Sequence, residues 1–196
     1  MKCDNFQDID EKIDNFLETL PCQSDTPMPE IEVKKKNVDD AILLYNAYAN
    51  SKNSELQAIT QYIYHSHTIE NKKISNILLC IALIEMRHLD VLGELIDLLG
   101  DKPFYVDSHE RDFSAKFLAY IDKVNIFHPS KDKDNDKKVI REKLEADLNG
   151  ELEAIKGYDK LLSEIHDKHV IAIIEKIRDD EKVHVKILKE LLSCYC

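Results

Sequence analysis

The stretch NILLCIALIEMRHLDVLGELIDLLG, residues 76–100, alternates steps of three and four along one stripe: Leu78, Ile81, Glu85, His88, Leu92 and Leu95. That spacing is one face of an α-helix, and four of its six members are apolar, so the stripe faces a core. Glu85 and His88 stand in the middle of it, one turn apart and on the same side. Gly100, with Pro103 beyond, ends the helix. A second stretch, RDDEKVHVKIL at residues 178–188, repeats the pair as Glu181 and His184.

The two copies belong to a larger repeat with an offset of 96 residues. Under it Glu55 falls on Glu151, Ala58 on Ala154, Tyr62 on Tyr158, Glu85 on Glu181 and His88 on His184. Leu56/Leu152, Ile59/Ile155, Ile81/Ile177, Leu92/Leu188 and Leu95/Leu191 supply a matching apolar frame. Each copy reads as two helices joined by a short link: about 53–69 with 72–99, and 139–165 with 169–193. Short links make antiparallel hairpins. Between the hairpins lies a crossover, residues 101–138, with GDKPFY, a short helix expected around 115–121, and the polar run KDKDNDKK. The expected fold is all-α: a ferritin-like four-helix bundle, residues 39–196, with its long crossover after the second helix.

Residues 1–38 are expected to form an N-terminal extension. Phe6, Ile9, Ile13, Phe16, Leu17 and Leu20 fit one helical face, Pro21 closes it, and CQSDTPMPE reads as a linker. Lys34 to Lys36 reads as a solvated turn, and Asp39 to Ala49 as helical. Composition agrees with helices: 4 Gly, 5 Pro and no Trp in 196 residues leave little for the turns of an all-β fold. With 27 Lys and Arg against 38 Asp and Glu, the net charge is −11, which argues against nucleic acid or an anionic membrane as partner. No apolar run reaches the roughly 20 residues of a membrane span, and the acidic N-terminus lacks a signal peptide's apolar core, so the expected location is cytoplasmic. The 5 cysteines are odd in number and form no Cys-x-x-Cys pair. No disulfide framework and no zinc ribbon is expected; Cys80 reads as a packing residue and Cys194-Tyr-Cys196 as a frayed tail.

The chemistry lies in the repeat. Glu55, Glu85, Glu151 and Glu181 point into one bundle core, where four carboxylates are severely costly unless something neutralises them. Two divalent ions match their charge, and carboxylate oxygens with two imidazoles, His88 and His184, suit iron or manganese, with zinc as a substitute. Ligating histidines usually donate their outer N–H to an acceptor. Asp180 is placed to reach His88; its counterpart in the first copy is Ile84, which leaves His184 without such a partner. Tyr62 and Tyr158, seven residues beyond Glu55 and Glu151, are expected to bond the opposite carboxylate. His65 and His67 are expected on the surface, and His109, His128, His166 and His169 show no ligand spacing. Glu94 falls off the Glu85/His88 face, and Glu153 lies about 200° round its helix from Glu151.

In SELQAITQYIYH, IALIEMRHLDVLGELIDLLG, ELEAIKGY and RDDEKVHVKIL the chain resembles the rubrerythrin and manganese-catalase branch of the ferritin-like superfamily, especially small rubrerythrin-like proteins without a rubredoxin domain. The likeness covers about 39–100 and 139–193. It implies Glu55 and Glu151 as terminal ligands, Glu85 and Glu181 as bridges, and His88 and His184 as one further ligand to each metal. Manganese catalases place the counterpart of Glu181 beside the centre rather than on it. Classical rubrerythrins carry a further Glu ligand close to the third-helix one, and Glu153 does not match it in orientation.

The resemblance implies a peroxide-consuming oxidoreductase acting on hydrogen peroxide, with dioxygen as the other candidate substrate. A peroxidase cycle would draw on a separate electron-donor protein; a catalase cycle needs none. The alternatives are a ferroxidase that handles iron and a metal-supported structural protein of the coat type. A homodimer is the expected assembly.

Overall fold

The computed structural model describes residues 9–103, 105 and 136–195. Within them the chain forms α1 (Ile9–Glu18), α2 (Val38–Tyr45) running into a π-helical turn (Asn46–Asn50), α3 (Glu55–Thr68), α4 (Lys72–Leu99), α5 (Lys137–Glu164) and α6 (Lys168–Tyr195). No strand occurs among the described residues. The expected short helix at 115–121 and most of the crossover lie outside them.

Local chemistry sets the helix ends. Ser54 caps α3 by accepting from Gln57 N, and Asn71 caps α4 through Lys73 N and Ile74 N. Gly100 takes φ 101°, the left-handed conformation that releases α4, while Gly100 N and Asp101 N satisfy the carbonyls of Asp97 and Ile96. Asp136 caps α5 through Lys138 N, so α5 begins two residues before the expected 139. Asp167 accepts from His169 N at the start of α6.

α3 packs along α4 and α5 along α6, forming the two expected hairpins, and the hairpins close into a four-helix bundle. The core falls into two apolar clusters. One joins α2 and the C-terminal half of α4 to Tyr158, Leu161 and the N-terminal half of α6. The other joins α3 and the N-terminal half of α4 to Ile140, Leu144 and the C-terminal half of α6. Glu85, His88, Glu181 and His184 sit on α4 and α6 between these halves, so the polar layer is sealed at both ends by hydrocarbon.

Residues 9–31 lie against the bundle. Arg87 on α4 pairs with Glu18 at 2.8 Å. Cys22 and Cys80 form a disulfide across 58 residues, their Cα atoms 6.2 Å apart. This corrects the reading of Cys80 as a packing residue. Parity and the missing Cys-x-x-Cys spacing carry no information on which cysteines the fold brings into bonding range, and a Cα separation near 6 Å is what a bridge requires. Lys34 to Lys36 are exposed as expected. No helix among the described residues is long and apolar enough to cross a membrane.

Candidate metal centre

Six side chains from four helices converge in the polar layer. Glu55 comes from the first residue of α3, Glu85 and His88 from α4, Glu151 from α5, and Glu181 and His184 from α6. All six are at most 3 % exposed, and both histidines are fully buried. They form two overlapping groups: Glu55, Glu85, His88 and Glu181, and Glu85, Glu151, Glu181 and His184, with the donor atoms of each group within 4.8 Å of one another. Glu85 and Glu181 belong to both groups; the other four belong to one each.

Both imidazoles aim Nδ1 at the carboxylates. His88 Nδ1 lies 3.2 Å from Glu85, 3.3 Å from Glu181 and 3.6 Å from Glu55. His184 Nδ1 lies 2.9 Å from Glu181, 3.1 Å from Glu85 and 3.6 Å from Glu151. The outer nitrogens differ. His88 Nε2 is 3.1 Å from Asp180 Oδ2, whereas His184 Nε2 is buried with no hydrogen-bond partner. The tyrosines cross over between hairpins: Tyr62 donates to Glu151 and Tyr158 donates to Glu55.

Charge inside this layer is strongly redistributed. Burial, then the neighbouring carboxylates Glu85 and Glu181, push Glu55 and Glu151 well above the usual carboxylate range. Burial also opposes ionisation of Glu85 and Glu181, but hydrogen bonds from Glu55 to Glu85, and from the imidazoles to both, hold them below it. Burial disfavours the imidazolium of His88, yet Asp180 and the three nearby glutamates overcome that and raise it well above the ordinary value; His184 is raised likewise by Glu85, Glu151 and Glu181. Burial and the adjacent carboxylate keep Tyr62 and Tyr158 protonated as donors. In the protein alone, protons supply the positive charge that four buried carboxylates demand. A cation in the same place would displace those protons.

The residues fit a dinuclear metal site. Glu55 Oε2, Glu85 Oε1 and Glu181 Oε1 are buried oxygens without a well-aligned hydrogen bond; each faces an imidazole Nδ1 at 3.1 to 3.6 Å. Buried acceptors left in that state cost free energy, and hard divalent cations take such oxygens together with imidazole nitrogen. The two groups would hold two ions, with Glu85 and Glu181 common to both groups.

A small cavity of about 30 Å³ reaches the layer between α3 and α5. Lys52, Asn53, Gln57 and Gln61 stand near Ala58, Gly150 and Ala154, and Glu55, Glu85, Glu151 and Glu181 line its depth. That volume suits a molecule of about two or three heavy atoms. A Cβ built on Gly150 would meet nothing within 4 Å, so the cavity does not depend on this glycine's missing side chain.

Other expectations fare differently. Glu153 is exposed and bonds Lys156, and Glu94 and His67 are exposed, as read from helical position. His65 corrects its expectation: it is 1 % exposed, with Nδ1 2.9 Å from Asp147, which also accepts from Gln61. His65 stands three residues beyond Tyr62 and so shares its inner face; residues two apart do separate, but it is His67 that turns outward. Sequence reading also missed Lys176, 2 % exposed, whose Nζ lies 2.7 and 2.9 Å from the two oxygens of Asp180. Asp180 further accepts from Ser24 N at 2.7 Å. His88, Lys176 and Ser24 together hold the Asp180 carboxyl well below its usual range against the opposing effect of burial. His169 pairs with Glu32 on the surface. His109 and His128 lie outside the described residues.

No protein-family model matches the chain. A probable manganese catalase of Clostridium acetobutylicum is 22 % identical over 185 residues, covering 84 % of this chain and 75 % of that protein. Among solved structures, the manganese catalase KatB of Anabaena aligns with TM-score 0.69 and 22 % identity, over 87 % of this chain and 78 % of its own. Rhodobacter capsulatus bacterioferritin, determined with a metal-free dinuclear site and haem iron, aligns with TM-score 0.57 and 25 % identity, over 82 % of this chain and 88 % of its own. The chain has a ferritin-like helical bundle fold and is similar in sequence and structure to manganese catalases.

Proposed function

We propose that this chain is a dinuclear manganese or iron oxidoreductase that consumes hydrogen peroxide. The observation that carries this reading is the pair of overlapping Glu/His groups sharing Glu85 and Glu181, reached by a cavity too small for any but the smallest substrates. The similarity to manganese catalases agrees with it.

Glu55 and His88 would hold one ion, Glu151 and His184 the other, and Glu85 and Glu181 would touch both. Two such ions supply four positive charges and can exchange the two electrons that cleavage of an O–O bond consumes. The protein does the rest. Tyr62 and Tyr158 fix one oxygen of Glu151 and Glu55 and so turn these carboxylates to a set direction. Asp180 fixes the ring of His88 with Nδ1 inward. The two apolar clusters keep bulk water from the ends of the layer, which preserves the strength of its electrostatics. The cavity lined by Ala58 and Ala154 has a volume that suits peroxide.

A catalase cycle uses peroxide as oxidant and reductant, so it needs no further protein; a peroxidase cycle would need an electron donor. The test is oxygen evolution from peroxide by the metal-loaded chain, with and without an added reductant. Oxygen release without reductant supports the catalase form, and reductant-dependent peroxide loss the peroxidase form. Two bound ions with neither activity would overturn the enzymatic reading in favour of a structural role. The likeness to a bacterioferritin favours a ferroxidase as second reading, for which ferrous iron oxidation by dioxygen would outpace peroxide turnover.

A further inference from the structure

The 96-residue repeat is closely matched in its donors but broken behind them. Asp180 on α6 has Ile84 as its counterpart on α4, and Lys176 has Cys80. These two departures meet at one place. Cys80 is bonded to Cys22, and two residues later Ser24 donates its backbone N–H to Asp180 Oδ1 at 2.7 Å. Lys176 Nζ, buried beneath, lies 2.7 Å from the same oxygen and 3.2 Å from Ser24 Oγ. Gln23 Nε2 bonds the carbonyls of Leu17 and Leu20, so the segment is also tied to the end of α1. Residues 22–24 therefore form a strap across α4 and α6, covalently fixed at one side and hydrogen-bonded to Asp180 at the other. The cavity opens on α3 and α5, so the strap is not in the substrate's way.

We infer that this strap is a redox-sensitive positioning device for one half of the metal centre. Asp180 has three hydrogen-bond partners among the described residues: His88, Lys176 and Ser24. The first is the imidazole it orients, and the other two fix the carboxylate itself. Reducing Cys22–Cys80 to two thiols frees residue 22, and with it the Ser24 N–H that aims Asp180 at His88. The reaction takes two electrons and two protons from a dithiol and returns them to peroxide, as water, when the bridge re-forms. The Glu151/His184 half has no such link, because His184 Nε2 has no partner to lose. The strap thus acts on the Glu55/His88 half alone.

The inference rests on the dinuclear reading, and the test separates the two. Stepwise Mn²⁺ affinities are measured by calorimetry, with metal content per chain, on the disulfide-bonded wild type, on wild type after dithiol reduction, and on Lys176→Met and Cys22→Ser. The expected result is two ions per chain in the bonded protein. Reduction or Cys22→Ser should weaken one of the two affinities about tenfold and Lys176→Met should weaken it 10- to 100-fold, the other staying unchanged. Reoxidation with peroxide should restore the reduced sample. Equal weakening of both affinities, or no change on reduction, would overturn the strap's role while leaving the centre intact. Fewer than two ions in the bonded wild type would instead overturn the dinuclear reading. Reduction is applied to protein already folded, so a variant that fails to fold does not remove the test.

Discussion

The two hairpins present the same three donors each, Glu55, Glu85 and His88 against Glu151, Glu181 and His184, yet they are supported differently. The first half-site has an outer scaffold, with His88 held by Asp180, Lys176 and the N-terminal strap. The second leaves His184 Nε2 buried and unbonded, its ring held by packing and, at Nδ1, by Glu181, Glu85 and Glu151. A repeated donor set therefore does not make two equivalent sites. Equivalence ends where the repeat exchanges Ile84 for Asp180, one residue before each shared glutamate.

The largest effect should come from erasing what the halves share. Glu85→Ala should lose both ions and all peroxide turnover, whereas Glu55→Ala should retain the Glu151/His184 ion; elemental analysis of the two purified variants distinguishes them. Next comes the asymmetry itself. Asp180→Ala should weaken one ion 10- to 100-fold, while Ile84→Ala leaves both affinities near wild type, as read from metal titrations. Tyr62→Phe and Tyr158→Phe should act as a matched pair. Each removes one donor to a buried carboxylate and should lower the stability of the metal-free chain by about 1–3 kcal/mol in denaturant titration.

A further difference concerns protons against metal. Glu55, Glu151, His88 and His184 have folded pKa values raised above their unfolded ones, so the stability they give is full at low pH and is lost as pH rises through the folded values. Glu85 and Glu181 are lowered and lose their contribution only in acid. The chelated chain should accordingly fall in melting temperature from neutral toward alkaline pH, and metal-loaded protein should show little of that fall. The smallest effect belongs to Glu153→Gln, which alters an exposed pair with Lys156 and should leave metal content and turnover unchanged.

The bundle and the convergence of the six Glu and His side chains are legible in sequence because both follow from periodicity. A residue's place in a three-and-four stripe decides whether it points inward, and a repeat at constant offset aligns two helices without knowledge of the third dimension. Tyr62 and Tyr158 were legible for the same reason. Cys22–Cys80 and the Ser24–Asp180 bond were not, since each joins an irregular segment to a distant helix and no period relates them. His65 was misread although its spacing from Tyr62 was available: its partner Asp147 lies on another helix, one turn before Glu151. The stretch CQSDTPMPE has a linker's composition, and its role emerges only where its backbone touches Asp180.

Two metal ions are proposed to offset the four buried carboxylates. The most direct test is the manganese and iron content of chain purified without added metal. Two ions per chain, reduced to none in Glu85→Ala and to one in Glu55→Ala, is the expected result. Less than one ion per chain, or content indifferent to Glu85, would contradict it.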